Sequence, residues 1–272
     1  MTTRPAYVHG YHPRESARLH DQAGTLVDLL HADTSYAAGS IVLEAGCGVG
    51  AQTVTLARNS PAAQITAIDL SVDSIGQARV RVEAAGLTNV QFRHADIFAL
   101  PFEPESFHHV FVCFVLEHLS RPVEALTALK TILRPGGTIT VIEGDHGSAY
   151  FHPDSEAARE AIACLVELQR QAGGNAMIGR QVYPLLIAAG FDRVRVSPRM
   201  VYVDSSRPEL VDGFTRKTFT AMVEGVRESA IAAGMVTPER FDAGLLALRR
   251  TAETDGVFCY TFFKAMGEKG RS

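Results

Sequence analysis

A chain of 272 residues with 46% hydrophobic and 21% charged residues carries enough apolar material for a large buried core, and its composition excludes gross disorder. Its formal net charge of −4 supplies no basic field for a polyanion, which excludes nucleic acid as the expected partner. The four cysteines, Cys47, Cys113, Cys164 and Cys259, form no CxxC pair and have no histidine at zinc-site spacing, so neither a disulfide framework nor a metal site is expected.

The opening stretch, MTTRPAYVHGYHPRESARLHDQ, lacks the apolar centre of a signal peptide, and no run of about 18 apolar residues occurs. The expected setting is the cytoplasm, with no membrane partner. Apolar residues at Ala17, Leu19, Ala23, Leu26, Val27 and Leu30 keep helical spacing, and TSYAAGS has turn composition, so a helix is predicted before the first strand. The predicted elements then alternate: strand Ile41–Glu44, helix Ala51–Arg58, strand Ile65–Asp69, helix Val72–Ala85, strand Val90–His94, strand Val110–Phe114, helix Val123–Leu133, strand Thr138–Glu143. This alternation predicts a parallel sheet, because each parallel crossover needs about a dozen residues or more.

Past Gly144 the pattern changes. Helices are expected from Ser155 to Gln171 and from Arg180 to Ala189. A long strand, FDRVRVSPRMVYVD, follows, and its Pro198 requires a sheet edge or a bulge. Residues Pro208 to Leu248 read as two or three amphipathic helices, and GVFCYTFFKAMG is aromatic and β-branched enough for a last strand. No repeat, linker or low-complexity tract interrupts the chain, so residues 1–272 are expected to form one domain with a helical cap at about 207–254. Phe214, Met222, Val226, Ile231, Leu245 and Leu248 are more apolar surface than a short cap hides under itself, which predicts a homodimer.

The stretch most informative about function is IVLEAGCGVGAQTVTLA, Ile41 to Ala57. A strand that ends in glycines and turns into a helix leaves amide N–H groups and a helix N-terminus facing one point, which suits a phosphate, a carboxylate or a ribose. Gly46 to Ala51 also fit GxGxxA, with Asp69 near the fingerprint's acid position, so an NAD-dependent oxidoreductase is one reading. A tight turn without a ligand is another.

In order along the chain, VLEAGCGVGAQT, ITAIDLS, VQFRHADIFALPFEPESFHHVFVCFVLEHL and LKTILRPGGTITVIE resemble the class I S-adenosylmethionine-dependent methyltransferases. The likeness runs from Val42 to about Glu143. It implies an α/β fold with a Rossmann-like, seven-stranded, mostly parallel sheet, helices on both faces, and a last antiparallel strand beside the fifth. It divides the domain into an N-terminal helical segment (1–40), a cofactor-binding core (41–145) and an acceptor-side half (146–272). The cofactor is then S-adenosylmethionine and its product S-adenosylhomocysteine. In the family's pattern, Glu44, Gly46, Gly48 and Gly50 pack under the amino-acid end of the cofactor. Asp69 takes the ribose hydroxyls with Leu70 beside it, Asp96 takes the adenine amino group while Ile97 covers the ring, and Phe114 lies along the cofactor. LRPGG reads as architecture, a helix stop and a turn.

Methyl transfer requires alignment and exclusion of water, and a base only where the nucleophile must lose a proton. Tyr11 resembles a pocket-closing tyrosine, and Arg18 could pair with the methionyl carboxylate. Glu117 and His118 follow the fourth strand. Asp145 and His146 lie in the polar cluster IEGDHGSAYFHP, expected as a loop after the fifth strand, where open α/β sheets bind ligands. These five, Tyr11, Glu117, His118, Asp145 and His146, are the catalytic candidates. EGDHGSAYFHP, GFTRKTF and YTFFKA resemble a subgroup of small-molecule methyltransferases that includes indole C3 enzymes, which implies a small aromatic or heterocyclic acceptor. A scaffold that binds the cofactor without chemistry is the non-enzymatic alternative.

Overall fold

The structure, a computed structural model, describes residues 25–271. Seven strands form one sheet: β1 (Ile41–Ala45), β2 (Gln64–Asp69), β3 (Val90–His94), β4 (Phe107–Cys113), β5 (Leu133–His152), β6 (Asp192–Val203) and β7 (Val257–Glu268). Their order is β3-β2-β1-β4-β5-β7-β6. The first five strands are parallel, and β7 runs antiparallel to both β5 and β6. The expected architecture is therefore present, with β1 and β4 at the centre. Pro198 lies on β6, which is an edge strand, where a missing N–H costs no ladder bond.

Helices cover both faces. Residues 25–31 form a helix, α1. They are followed by α2 (Ala51–Asn59), α3 (Val72–Ala84), α4 (Pro122–Ile132), α5 (Glu156–Gln171) and α6 (Val182–Ala188). Among the described residues no helix is long and apolar enough to cross a membrane. One buried layer gathers Leu43, Val110, Leu126, Ile139 and Leu186; the other gathers Leu26, Phe111, Ile142, Leu165 and Phe258.

Two parts of the C-terminal half differ from expectation. The segment expected as a loop after the fifth strand is strand: β5 continues to His152 and, after a break in register, pairs Tyr150, Phe151 and His152 with Cys259, Phe258 and Val257. The alternating burial of β7 gives it one inward face along its length, so a partner strand is stabilised well beyond the parallel core. The cap, in turn, is not a set of simple α-helices. It opens with α7 (Pro208–Leu210), widens into a π-helix over Val211–Thr220, and returns to α-geometry in α8 (Ala221–Gly225), α9 (Arg227–Ala232) and α10 (Pro238–Arg250).

The π-helix has a packing consequence. Bonds from i to i+5 widen the turn and bring residues five apart toward one side, so Phe214 and Phe219 both point inward. Phe219 meets Phe258 at 4.7 Å and Phe214 meets Tyr260 at 5.7 Å, centroid to centroid. Five of the six apolar cap residues expected to be exposed, Phe214, Met222, Val226, Leu245 and Leu248, are buried in this chain's own core, and Ile231 is half-buried. The surface on which the expected homodimer rested is thus covered from within, because α10 packs on α5 so closely that a Cβ on Gly244 would lie 2.5 Å from the Ala157 carbonyl oxygen.

The C-terminal end of α1 is fastened to the far side of the sheet. The buried Lys264 ammonium on β7 donates to the Leu30 carbonyl at 3.2 Å, to Asp33 at 2.6 Å and to Thr34 at 2.5 Å, and Arg199 on β6 donates to Asp33 and to the Leu29 carbonyl. Cations at a helix C-terminus satisfy carbonyls that have no intrahelical partner. Lys264→Met should therefore lower unfolding free energy by about 1–3 kcal/mol in urea titrations. A loss below about 0.5 kcal/mol would mean that α1 is held by apolar packing alone.

Candidate active site

The glycine loop joins β1 to α2. Gly46, Gly48 and Gly50 all have positive φ, at 81°, 50° and 78°. A Cβ on Gly46 would meet Val115 Cγ2 at 2.4 Å, and one on Gly50 would meet the Ala78 backbone at 2.8 Å. These two glycines serve close packing. At Gly48 nothing lies within 4 Å of the Cβ position, so its side faces open space, a cradle for a ligand.

The loop is stitched to the end of β2. The Gly46 and Cys47 amides donate to the Ile68 carbonyl at 2.8 and 2.9 Å, and the Gly48 amide donates to Asp69 Oδ2 at 2.8 Å. Asp69 Oδ1 accepts from the Ser71 amide at 2.9 Å. The cap of α3 is Ser71 itself, whose hydroxyl accepts from Ser74 N at 3.2 Å, so Asp69 is not consumed as a cap. Each Asp69 oxygen is aimed by one amide and retains a lone pair, the arrangement that two vicinal hydroxyls require.

Glu44, two residues before Gly46, is 3% exposed and its Oε2 has no partner among the described residues. Burial pushes its carboxyl up to about 7, with the Asp69 charge adding to the rise. A buried carboxylate oxygen without a donor fits a cationic ligand group. Farther along the cleft, Asp96 Oδ1 accepts from the Phe98 amide at 2.9 Å, Ile97 packs against the core, and Leu70 is 54% exposed. Phe114, whose ring meets Phe262 at 5.6 Å, has φ of 57°. For a residue with a Cβ that conformation costs on the order of 1–2 kcal/mol, and such strain concentrates at functional turns.

The acceptor side separates the catalytic candidates. Successive residues of a strand face opposite sides, and β5 sends Asp145 and His146 apart. Asp145 is 2% exposed and holds Arg180 in a two-pronged ion pair, 2.6 Å from Nε and 2.9 Å from Nη2, with Gly147 N as a third donor at 3.0 Å. These three donors fix the Asp145 carboxylate in place. His146 turns to the aromatic core, with Nδ1 2.7 Å from the Tyr260 hydroxyl and its ring against Phe219 at 6.1 Å. Burial pushes the Tyr260 phenol well above its ordinary range, which keeps a proton on that hydroxyl. The two side chains expected as adjacent proton carriers on β5 thus have separate partners, Arg180 for Asp145 and Tyr260 for His146.

Glu117 and His118 sit on the short turn after β4 and keep 12% and 23% of their side chains exposed. Glu117 Oε1 lies 3.6 Å from His118 Nε2, and Glu117 Oε2 accepts from Gln169 Nε2 at 3.1 Å. The Glu117 carbonyl is fixed by the Asn175 amide at 2.7 Å. Tyr11 and Arg18 lie outside the described residues. Gln169, Arg180 and Val115 carry no local sequence signal, because their partners come from remote parts of the chain. Glu143 did carry a signal, a charged residue closing the buried run TITVI.

Residues 42–137 match the family model for a methyltransferase domain. An uncharacterized 37.1 kDa protein in transposon TN4556 of Streptomyces fradiae is 34% identical over 190 residues, 69% of this chain and 54% of that protein. The 27-O-demethylrifamycin SV methyltransferase of Amycolatopsis mediterranei (strain S699) is 27% identical over 227 residues, 82% of this chain and 76% of that enzyme. Among solved structures, the [4+2]-cyclase SpnF shares the fold, with a TM-score of 0.53 at 19% identity over 93% of this chain and 82% of that one. This chain thus spans about half the length of the Streptomyces relative. Residues 42–137 thus carry a methyltransferase domain, on the strand order and glycine loop described above.

The raised Glu44 carboxyl has a measurable consequence. An unfolded glutamate titrates near about 4.3, so the folded state holds a proton that the unfolded chain has lost across about pH 4–7. That contribution to stability is complete below the unfolded value and disappears as pH rises through about 7. Urea unfolding of the ligand-free protein from pH 5 to 8 should show stability falling with pH, and Glu44→Gln should flatten part of the slope. An identical slope in the variant would mean that Glu44 is not the group responsible.

Proposed function

We propose that this chain transfers a methyl group from S-adenosylmethionine to a small, aromatic or heterocyclic acceptor. The observation that carries the reading is the Asp69 carboxylate, aimed by the Gly48 and Ser71 amides beside the open face of Gly48. Asp69 binds the ribose, Glu44 faces the cationic amino-acid end, and Asp96 and Ile97 hold the adenine, with Leu70 and Phe114 along its flanks. The cofactor supplies an electrophilic methyl whose bond to sulfur breaks as the nucleophile's lone pair forms the new bond. The chain's own residues align the two reactants and keep water out.

Glu117 and His118 are the proton acceptors in this reading, because they remain partly accessible on the turn that passes the cofactor while Asp145 and His146 are committed elsewhere. Gln169 orients the Glu117 carboxylate. For the acceptor, the support is the resemblance of EGDHGSAYFHP, GFTRKTF and YTFFKA to small-molecule methyltransferases; their aromatic residues Phe214, Phe219 and Tyr260 pack with His146 in the core. An indole-bearing acceptor is the first to screen. The cyclase relative in fold favours retaining one alternative, a site that binds the cofactor and serves different chemistry.

Calorimetry with S-adenosylhomocysteine, S-adenosylmethionine and NAD tests the cofactor. The first two should bind and NAD should not; tight NAD binding alone would sink the reading in favour of an oxidoreductase. Asp69→Ala loses two charge-assisted hydrogen bonds and should weaken S-adenosylhomocysteine by about tenfold to a thousandfold, with the fold unchanged by circular dichroism.

Mass spectrometry of a bacterial extract treated with protein and methyl-labelled cofactor would then identify the acceptor. With it in hand, Glu117→Gln should lower the single-turnover rate by about 10²–10⁴-fold with cofactor affinity nearly unchanged. Equal rates and equal pH profiles in wild type and variant would remove Glu117 as the base.

A further inference from the structure

We infer that Glu143 is a positioning residue, whose carboxylate holds the strained turn after β4 in the shape that supports the cofactor loop and presents Glu117. The inference rests on reading this site as a methyltransferase site. Glu143 is fully buried near the end of the parallel part of β5, one residue beyond the pairing of Ile142 with Cys113. Its Oε1 accepts from the Val115 amide at 3.0 Å and from the Leu116 amide at 2.8 Å. The same turn is joined to β5 once more, by the Phe114 amide donating to the Ile142 carbonyl at 2.9 Å.

Those bonds fix residues on two sides of the cleft. Phe114 is held at positive φ, which its side chain opposes, so the turn would relax toward ordinary backbone without an external anchor. Val115 points its methyl groups at the glycine loop, close enough that Gly46 has no room for a Cβ. Glu117 follows directly, its carbonyl and carboxylate held from the other side by Gln169 and Asn175. One buried carboxylate therefore sets the distance between the cofactor loop and the acid–histidine pair through its Oε1, while its Oε2 has no partner among the described residues. Anchoring the turn requires no charge, because a side-chain carbonyl oxygen can accept from both amides.

The test compares wild type with Glu143→Gln, Glu143→Leu and Val115→Ala, by calorimetry with S-adenosylhomocysteine alongside circular dichroism. Glu143→Leu should weaken binding by about tenfold or more in a folded protein, Glu143→Gln should stay within about threefold of wild type, and Val115→Ala should weaken binding by at least about threefold. Rescue by glutamine is the readout that a general loss of stability would not produce. The inference is overturned if Glu143→Leu binds as wild type, or if Glu143→Gln is as weak as Glu143→Leu. Should Glu143→Leu not fold, the other two variants decide: retained affinity in Glu143→Gln with loss in Val115→Ala supports it, and unchanged affinity in Val115→Ala overturns it. If the wild type itself fails to bind, the methyltransferase reading falls and the inference with it; wild-type binding with unaffected variants overturns the inference alone.

Discussion

The Gly48 amide donates to the Asp69 carboxylate across the ends of two adjacent parallel strands, and much of the cleft depends on that bond. To make it, the chain after β1 must turn back over β2, which requires positive φ at Gly46, Gly48 and Gly50. The same turn lets the Gly46 and Cys47 amides share the Ile68 carbonyl, so these backbone groups at the strand end are paired. The carboxylate is thereby aimed before any ligand arrives. Preorganisation of this kind spares a ligand the cost of ordering its own binding groups.

Buried carboxylates act in two different ways around this loop. Glu143 accepts two amides of the β4 turn through one oxygen, and it acts as an internal strut. Glu44 stands before the glycine loop with its carboxyl pushed up by burial, and its Oε2, like that of Glu143, has no partner among the described residues. The difference lies in local backbone geometry, not in residue type: the β4 turn directs N–H groups at one glutamate, whereas the glycine loop directs its Gly48 amide at Asp69.

The C-terminal half, residues 146–271, is built by extending the sheet and capping it with helices. β5 and β7 run on together past the parallel core, and their inner face carries Phe258, Tyr260 and Phe262 against the cap. The π-helix presents two phenylalanines to that face at once, and Lys264 on the same strand ties α1 to it from below. Cap, sheet extension and first helix therefore share one strand, β7.

Periodicity and turn chemistry by themselves determined the alternating core: each strand from β1 to β4 and each helix from α2 to α4 is legible to within a few residues, because local spacing and capping dictate them. The positions of Glu44, Asp69 and Asp96, at or just past the ends of β1, β2 and β3, were equally legible, since the predicted strands end there. Tertiary structure decided the rest. That Asp145 and His146 face opposite ways depends on a strand whose partner lies over a hundred residues later in the chain, at Thr261 and beyond. That the cap's apolar residues are buried at home depends on α5 and β7, and that Glu143 serves the β4 turn depends on parallel neighbours in the sheet. Each of these is a contact between remote segments, for which spacing along the chain supplies no information.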